Sequence, residues 1–470
     1  MPLISLGLLS LIFGYAAFRW GGVLPVDWYP CLAAIGLTVA LHAALSHRRD
    51  RAPSPSWILR ILPPAVLALA AFQLVPLPLG VVRRLSPARA ELAEALGPVL
   101  GKPARVTLSV QPAETFLWVL TLAGAILVFF LVRDLAWHWR ERPWTLAVPV
   151  VIIALLEAVL GLIQRYGFGL DLARGTYVNR NHFSGLLEMA LPFAVMYGVA
   201  LLNRGRTAGS RRAHRTPAGP ALKACVWLSI ATVMLVAVIH SLSRMGFLAT
   251  LSALFVMGAV SLGGNLTGKK RWFPITAVGV LVVTGFVFLP TDQLIQRFAT
   301  FAQTEDISSD TRAEIWADTT KLIRAFPLTG SGLGAYESGL YRFKTVAPMN
   351  SVVHAHNDYL QALAEFGIPG FLLLMILAVR TFGLALRSSE QSAGAEERYL
   401  AIACTGALTA LALHSVVDFN LYIPANALLL VWIAGITEGL AFISHPFEHR
   451  RRSKHKAMPV YVEATSSSPG

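Results

Sequence analysis

Five groups of residues carry side chains capable of chemistry, and they are of two kinds. Imidazoles with amide and carboxylate neighbours stand at His354-Ala355-His356-Asn357-Asp358, and again at His414 and Asp418. Guanidiniums beside small polar residues stand at Asn179-Arg180-Asn181-His182, at Ser241-Leu242-Ser243-Arg244 and at Arg312. An imidazole accepts and returns protons near neutral pH. A guanidinium is a permanent cation whose planar fork binds phosphate through paired hydrogen bonds. Side by side, the two kinds suit proton transfer next to a fixed anion.

Each group also has a plainer reading. His354 and His356 point the same way along an extended strand, so with Asp358 they could ligate a metal, although no second Cys/His cluster supports that. They could equally serve the local fold, or supply a catalytic base. Asp358 with Gln361 makes a capping box, which predicts a helix through Leu360, Leu363 and Phe366 to Gly367 before Pro369-Gly370 opens the next one. His356 then lies just before a helix N-terminus, whose dipole disfavours extra positive charge, keeps the ring able to accept a proton and attracts anions. Arg244 is either a snorkelling side chain at a helix end or an anion fork. Arg180 either marks the interface or touches a ligand, and Arg312 either pairs locally with Asp310 or Glu314 or does the same. The stretch Gly330-Ser331-Gly332-Leu333-Gly334 is a closely approachable backbone, but no Gly-Lys-Ser/Thr completes a nucleotide loop.

The elements that must position these residues are apolar helices. Of 470 residues, 55% are hydrophobic and 14% charged, and the mean hydropathy is +0.58. A soluble domain carries roughly a quarter charged residues. An ordinary cytosolic enzyme and a disordered scaffold are both excluded. Runs long enough to cross a bilayer, about 17–25 residues each, lie near 3–19, 27–45, 58–79, 114–132, 144–164, 183–202, 223–242, 245–263, 273–290, 366–386, 399–417 and 421–444. The first has no basic start and no small-residue cleavage site, so it reads as a retained helix. The expected fold is an all-α integral membrane protein with about twelve transmembrane helices.

The net charge of +14 sits in short clusters between these runs, so it speaks for membrane orientation and not for nucleic acid. Arg48, Arg49 and Arg51; Arg133, Arg140 and Arg142; Arg204 to Lys223; Lys269, Lys270 and Arg271; Arg380, Arg387 and Arg398; and Arg450 to Lys456 alternate with span number. Both termini are therefore expected inside, with two long segments, 80–113 and 291–365, outside. All five chemical groups then fall on the outer face. Charges this near an apolar core are costly unless paired or binding something, which argues for one shared site. The cluster from Arg204 to Lys223 is expected to touch anionic lipid heads. Residues 309–326, with Ile315, Trp316, Thr319, Leu322, Ile323 and Phe326 at three-to-four spacing behind Ser309 or Asp310, predict an amphipathic helix lying at the membrane surface. Three organisational units follow: 1–165, 166–444, and a basic, disordered cytoplasmic tail 445–470. Cys31, Cys225 and Cys404 have no metal or disulfide spacing and read as packing residues.

The motifs carry a resemblance. His356-Asn357, nine residues, Gly367, two residues and Gly370 are similar to the periplasmic signature of the O-antigen ligase and polymerase superfamily. The Ser243-Arg244-Met245-Gly246 turn resembles that family's Ser-Arg-Gly helix start, here with Met245 inserted. Arg312 with Trp316, then Pro327 and the glycine stretch, matches what usually precedes the histidine segment. The resemblance covers about residues 170–440, while segment 80–113 has no counterpart in it. It implies a large periplasmic loop with short helices in a bacterial inner-membrane protein. It also implies transfer or polymerisation of glycans carried on undecaprenyl diphosphate, without metal, nucleotide sugar or other cofactor. Carried over, His356 would activate the acceptor hydroxyl, Arg244 and Arg312 would hold the diphosphate, and Arg180 would add a third cation. Asp418 would orient His356 or bind a sugar hydroxyl, with Asn357 and His354 in support. The acceptor would be lipid A-core, a second glycan unit or a protein. Outside the family, a transporter of an anionic solute is the alternative; it should place its charges near mid-membrane between related halves.

Overall fold

The computed structural model describes residues 1–46, 52–101, 103–209, 218–263, 309–345, 351–392 and 394–444. Eight helices among them are long and apolar enough to cross a membrane, judged by length and composition. They are α2 (Pro25–Leu45), α7 (Pro112–His138), α8 (Ala147–Tyr166, prolonged by a 3-10 turn from Pro143), α9 (Arg180–Gly209), α10 (Ala218–His240), α11 (Arg244–Gly263), α14 (Asp358–Gln391) and α16 (Pro424–Ser444). Two shorter apolar helices, α1 (Pro2–Phe18) and α3 (Trp57–Phe72), and α15 (Ala395–His414) complete the bundle. The expected span 273–290 lies outside the described residues, as do the basic clusters around 48 and 270 and the tail 445–470. The protein is an all-α membrane protein.

One expected span is shorter than its apolar run. The run 58–79 is helical only to Phe72, after which Leu77-Pro78 pairs antiparallel with Arg105-Val106 as a two-residue ribbon. Pro76 and Pro78 cannot donate helical hydrogen bonds, so the chain leaves the helix there. Segment 80–113, silent in sequence, forms α4 (Leu79–Leu85), α5 (Pro87–Ala95) and α6 (Gly97–Leu100) around a small core of Val82, Ala90, Val106 and Leu108.

α9 is the central element. Every residue from Asn181 to Ala194 is buried, because α8, α10, α11, α15 and α16 all pack on it. A helix apolar on all sides is what such a position requires. Any polar group between Asn181 and Ala194 therefore faces protein, not lipid.

The outer helix α12 (Ser309–Ala325) forms as its spacing predicts, but its stripe does not lie on a membrane surface. Leu322 and Phe326 are buried with Tyr336 and Leu340 of α13 (Tyr336–Leu340), Ala364 of α14, and Ala355 in the segment before α14. The apolar face meets the protein's own histidine segment. Between α12 and α13 the glycine stretch docks on a break in α14. Gly367 has φ +68° and Gly330 φ +66°, where L side chains are strained. A Cβ on Gly330 would come 2.0 Å from the Glu365 carbonyl oxygen, and one on Gly367 would come 2.7 Å from Leu328 backbone. Ser331 N and Ile368 N donate across this seam to Ala364 O and Pro327 O, each at 2.8 Å. The approachable backbone is used by the fold itself.

Candidate functional site

His356 occupies left-handed backbone, φ +48°, directly before α14. Non-glycine residues enter that region rarely and at a cost, so the surroundings must hold it there. Asn357, not Asp358, caps the helix: its Oδ1 accepts from Leu360 N at 2.9 Å. The expected capping box is corrected by one residue because the chain after α15 passes close to Asp358 and supplies donors. Ser415 Oγ donates to Asp358 Oδ2 at 2.7 Å, and Leu421 N to Oδ1 at 3.2 Å. Gln361 is released from capping and turns back along the strand. Its Oε1 accepts from Ala355 N at 3.0 Å, while its Nε2 meets His354 Nδ1 and Glu365 Oε1, both at 3.1 Å. Tyr422 Oη and Gly334 N each donate to Glu365 Oε2 at 2.8 Å. From the other side, Trp316 Nε1 donates to Ala355 O at 2.9 Å. The strand carrying His356 is pinned on both faces.

Asp418 is the hub. His182 Nε2 and His356 Nδ1 lie 3.4 and 3.9 Å from its Oδ1, and His414 Nε2 lies 3.8 Å from its Oδ2. Phe419 N donates to Oδ1 at 2.9 Å. The Phe419 ring is a second hub. It stacks on His354 with centroids 4.0 Å apart, and meets His182 and His356 edge-on at 4.5 and 4.8 Å. Burial alone would raise the Asp418 carboxyl, yet His182, His414 and His356 around it hold it below the usual carboxylate range. Burial, then the neighbouring His182 and His356, push the His354 imidazole down to about 3. A ring so depressed stays neutral and is no proton carrier near pH 7. Behind the hub, His414 Nδ1 lies 2.9 Å from Glu188 Oε1, both side chains wholly buried.

The cluster is not fully satisfied internally. His182 Nε2, His414 Nε2, Asp418 Oδ2 and Asn420 Nδ2 are buried without hydrogen-bond partners. Buried polar atoms left this way are uncommon in folded proteins. The three-ligand metal set His354, His356 and Asp358 does not assemble, since Asp358 turns to Ser415 and His354 to Gln361. Among the described residues no three His, Cys, Asp or Glu side chains form a metal-holding group.

Each of the three arginines stands in the first turn of a helix. Arg180 opens α9, two residues before His182. Arg244 is exposed at the first position of α11, behind Ser243, whose Oγ accepts from Gly246 N at 3.2 Å. Gly246 lies where a Cβ would meet Ser184 Oγ of α9 at 2.2 Å, so the glycine after the inserted Met245 is the one that close packing needs. Arg312 stands on the first turn of α12, one turn before Trp316, with its Nε buried and without a hydrogen-bond partner. It makes no ion pair with Glu314 in the structure. The structure thus gathers His182, His354, His356, Asn357, His414 and Asp418 into one cluster, which α9 enters behind Arg180. The ionic partners of Asp418 are imidazoles, not guanidiniums.

Sequence reasoning missed Phe419, Tyr422, Glu365 and Glu188. Glu188 had a signal: a carboxylate in the middle of an apolar run is costly without a partner, and its partner is His414. Phe419 had none, because an aromatic at the start of an apolar run reads as part of the span.

Residues 229–375 match the family model described as O-Antigen ligase. That stretch contains the Arg244 turn, the Arg312 helix, the glycine seam and the His356 segment, so this segment is of the O-antigen ligase superfamily. No curated protein matches the chain. The match supports an O-antigen ligase- or polymerase-like function in a multi-pass membrane protein that meets lipid-linked glycans.

Proposed function

We propose that the protein transfers a glycan from undecaprenyl diphosphate to an acceptor hydroxyl at the periplasmic face, in the manner of an O-antigen ligase. The observation that carries this reading is His356. It is held in strained backbone over Asp418, inside the segment that matches the family, with cations at the heads of the neighbouring helices. His356 Nδ1 faces the carboxylate, so Nε2 is the nitrogen that takes the hydroxyl proton. The acceptor oxygen bonds to the anomeric carbon as the bond from that carbon to the diphosphate oxygen breaks. The leaving diphosphate keeps the electron pair, and Arg244, Arg312 and Arg180 stabilise its growing charge. No step calls for a metal or a nucleotide sugar. Asp418 favours the imidazolium that forms and fixes the ring's orientation. The isoprenoid tail of the donor lies in lipid, which is why such a catalyst is built into a bilayer.

The test is to incubate purified protein with a lipid-diphosphate-linked glycan and to offer either lipid A-core or a second glycan unit. Transfer to lipid A-core supports the ligase, and chain extension supports the polymerase reading. No transfer to either, with the donor bound and released intact across a vesicle membrane, would support a transporter instead. A cysteine placed at Thr320 should be labelled from outside the cell; labelling only after permeabilisation would reverse the orientation.

A further inference from the structure

Beside the histidine cluster, at the same end of the bundle, the segment between α8 and α9 folds back toward the end of α1 and shapes an open cleft of about 310 Å³. Phe18, Trp20 and Tyr177 supply aromatic walls, while Gln164, Arg174 and Thr176 supply polar ones. That volume is at the small end of ligand pockets, about 300–1,000 Å³, and suits one ring rather than a chain.

The cavity is held in shape by specific contacts. Trp20, Gly21 and Gly22 have φ of +59°, +73° and +76°. An indole residue in left-handed backbone persists only where its surroundings over-determine it. Gly21 is required there, because a Cβ would come 2.8 Å from the Tyr177 ring and 2.9 Å from Ile423. Below, the buried Glu157 accepts from Thr176 N at 2.9 Å and Thr176 Oγ1 at 2.7 Å. Gln164 Nε2 donates to Gly175 O at 2.7 Å. Trp20 nevertheless stays 47% exposed and Arg174 is exposed. Tyr177 Oη donates to Asn426 Oδ1 at 3.2 Å, and Asn426 Nδ2 donates to the His182 carbonyl at 2.9 Å. One side chain separates the cavity wall from the histidine cluster.

An exposed indole alone would suit a membrane interface. A cleft of this volume with aromatic walls and a guanidinium at its edge asks for more. A sugar ring has an apolar C–H face, which packs on aromatic carbon, and a rim of hydroxyls. A cation beside it selects a ring that also carries a negative group.

We propose that this cavity is a subsite for an acidic sugar unit, carboxylated or phosphorylated, of the acceptor glycan. The ring lies against Trp20 and Phe18, and its anionic group meets Arg174. Its role as an acceptor subsite rests on the glycan-transfer reading; sugar binding there does not.

The test uses the full chain in lipid nanodiscs, titrated calorimetrically with glucose, glucuronate and glucose 6-phosphate. The two acidic sugars should bind more tightly than glucose. Arg174→Gln should weaken them by about tenfold, the loss of a hydrogen bond to a charged group, and leave glucose unchanged. Trp20→Gly, which accepts the positive φ, should weaken all three. No binding of any sugar, equal binding of glucose and the acids, or native binding in both variants would each overturn the proposal. In the transfer assay both variants should raise the acceptor KM with kcat nearly kept. If transfer is absent but the binding pattern holds, the transferase reading fails and the sugar site stands. If transfer proceeds with unaltered acceptor KM in both variants, the subsite falls. Arg174 is exposed, so its variant keeps the test decisive even if Trp20→Gly fails to fold.

Discussion

Two polar clusters sit at opposite ends of the same helices and handle charge differently. Away from His356, α14 and α16 are joined by Arg380, whose Nη1 and Nη2 donate to Glu438 Oε2 and Oε1 at 2.7 and 3.0 Å. At that end α1, α2 and α7 are joined by His42, with Nδ1 2.9 Å from Ser5 Oγ and Nε2 2.9 Å from Asp134 Oδ2. Each basic side chain faces one carboxylate. The Ser-His-Asp composition makes no catalytic triad, since Ser5 is wholly buried among helices. At the His356 end three imidazoles gather on Asp418, and one of them, His414, is shared with Glu188. One-to-one pairing holds helices together. Several imidazoles gathered on one shared acid instead bring rings that can carry protons from separate segments to one place.

The largest test of that contrast removes the base. His356→Ala should insert normally and still bind the lipid-linked donor, while transfer falls by about 10²–10⁴-fold, the range for a positioned acid–base group. Turnover and donor binding measured on the same preparation separate chemistry from fold. Near-native turnover would leave the His356 end no more functional than the other.

Next in size is the opposite end. Arg380→Ala strands the nearly buried Glu438 carboxylate and should destabilise the protein by about 3 kcal/mol. Transfer per folded molecule should hardly change. Replacing both partners by Met should recover most of the stability, because an apolar pair leaves no stranded charge. Thermal melting in nanodiscs reads all three proteins. A stable Arg380→Ala variant without activity would erase the distinction between the two ends.

How much of this was visible beforehand divides along the same line. Features that depend on neighbours in sequence were legible. They include the apolar runs, the polar residues that face one end, the helix at 309–325 and the break at Gly367. The capping box was placed one residue late, because its residues are local but the donors to Asp358 come from Ser415 and Leu421. The rest arises between segments far apart in the chain. Val110 N donates to Ser331 O at 2.9 Å and Ser109 N to Gln73 O at 3.0 Å, which anchors segment 80–113 to the glycine stretch and the end of α3, and no periodicity encodes it. The stripe on α12 was read correctly as apolar and assigned to lipid, since spacing tells which face is buried but not against what.

A smaller effect tests whether the arginines act by shape or only by charge. Arg312 keeps its Nε buried on the turn before Trp316. If it grips a diphosphate through its fork, Arg312→Lys should cost about tenfold in transfer, since an ammonium keeps the charge but loses a charged hydrogen bond. Donor affinity and kcat should be measured separately. Full activity would make it a simple cation, like the exposed basic clusters of the other face.

The smallest effect concerns His354, which shares Phe419 with the base but not its role. Its imidazole is pushed down to about 3 by burial, so the folded protein keeps it neutral where the unfolded chain protonates it. Below about pH 6.5, the ordinary imidazole value, the unfolded state binds the extra proton. Stability therefore falls as pH drops through that value and goes on falling toward the folded one. Partial exposure of the ring keeps the change on the order of 1 kcal/mol by about pH 5. Asp418 does not confuse this window. Its carboxyl is held below the usual range, so its contribution is present above the ordinary carboxylate value and is lost only at lower pH. Between about pH 7 and about pH 5 the melting temperature of the native protein should thus fall relative to that of His354→Phe, which can still stack on Phe419. Its effect on transfer should stay far below that of His356→Ala. Parallel profiles of the two proteins would mean that His354 is solvated and titrates freely, and the cluster would then hold two candidate bases in place of one.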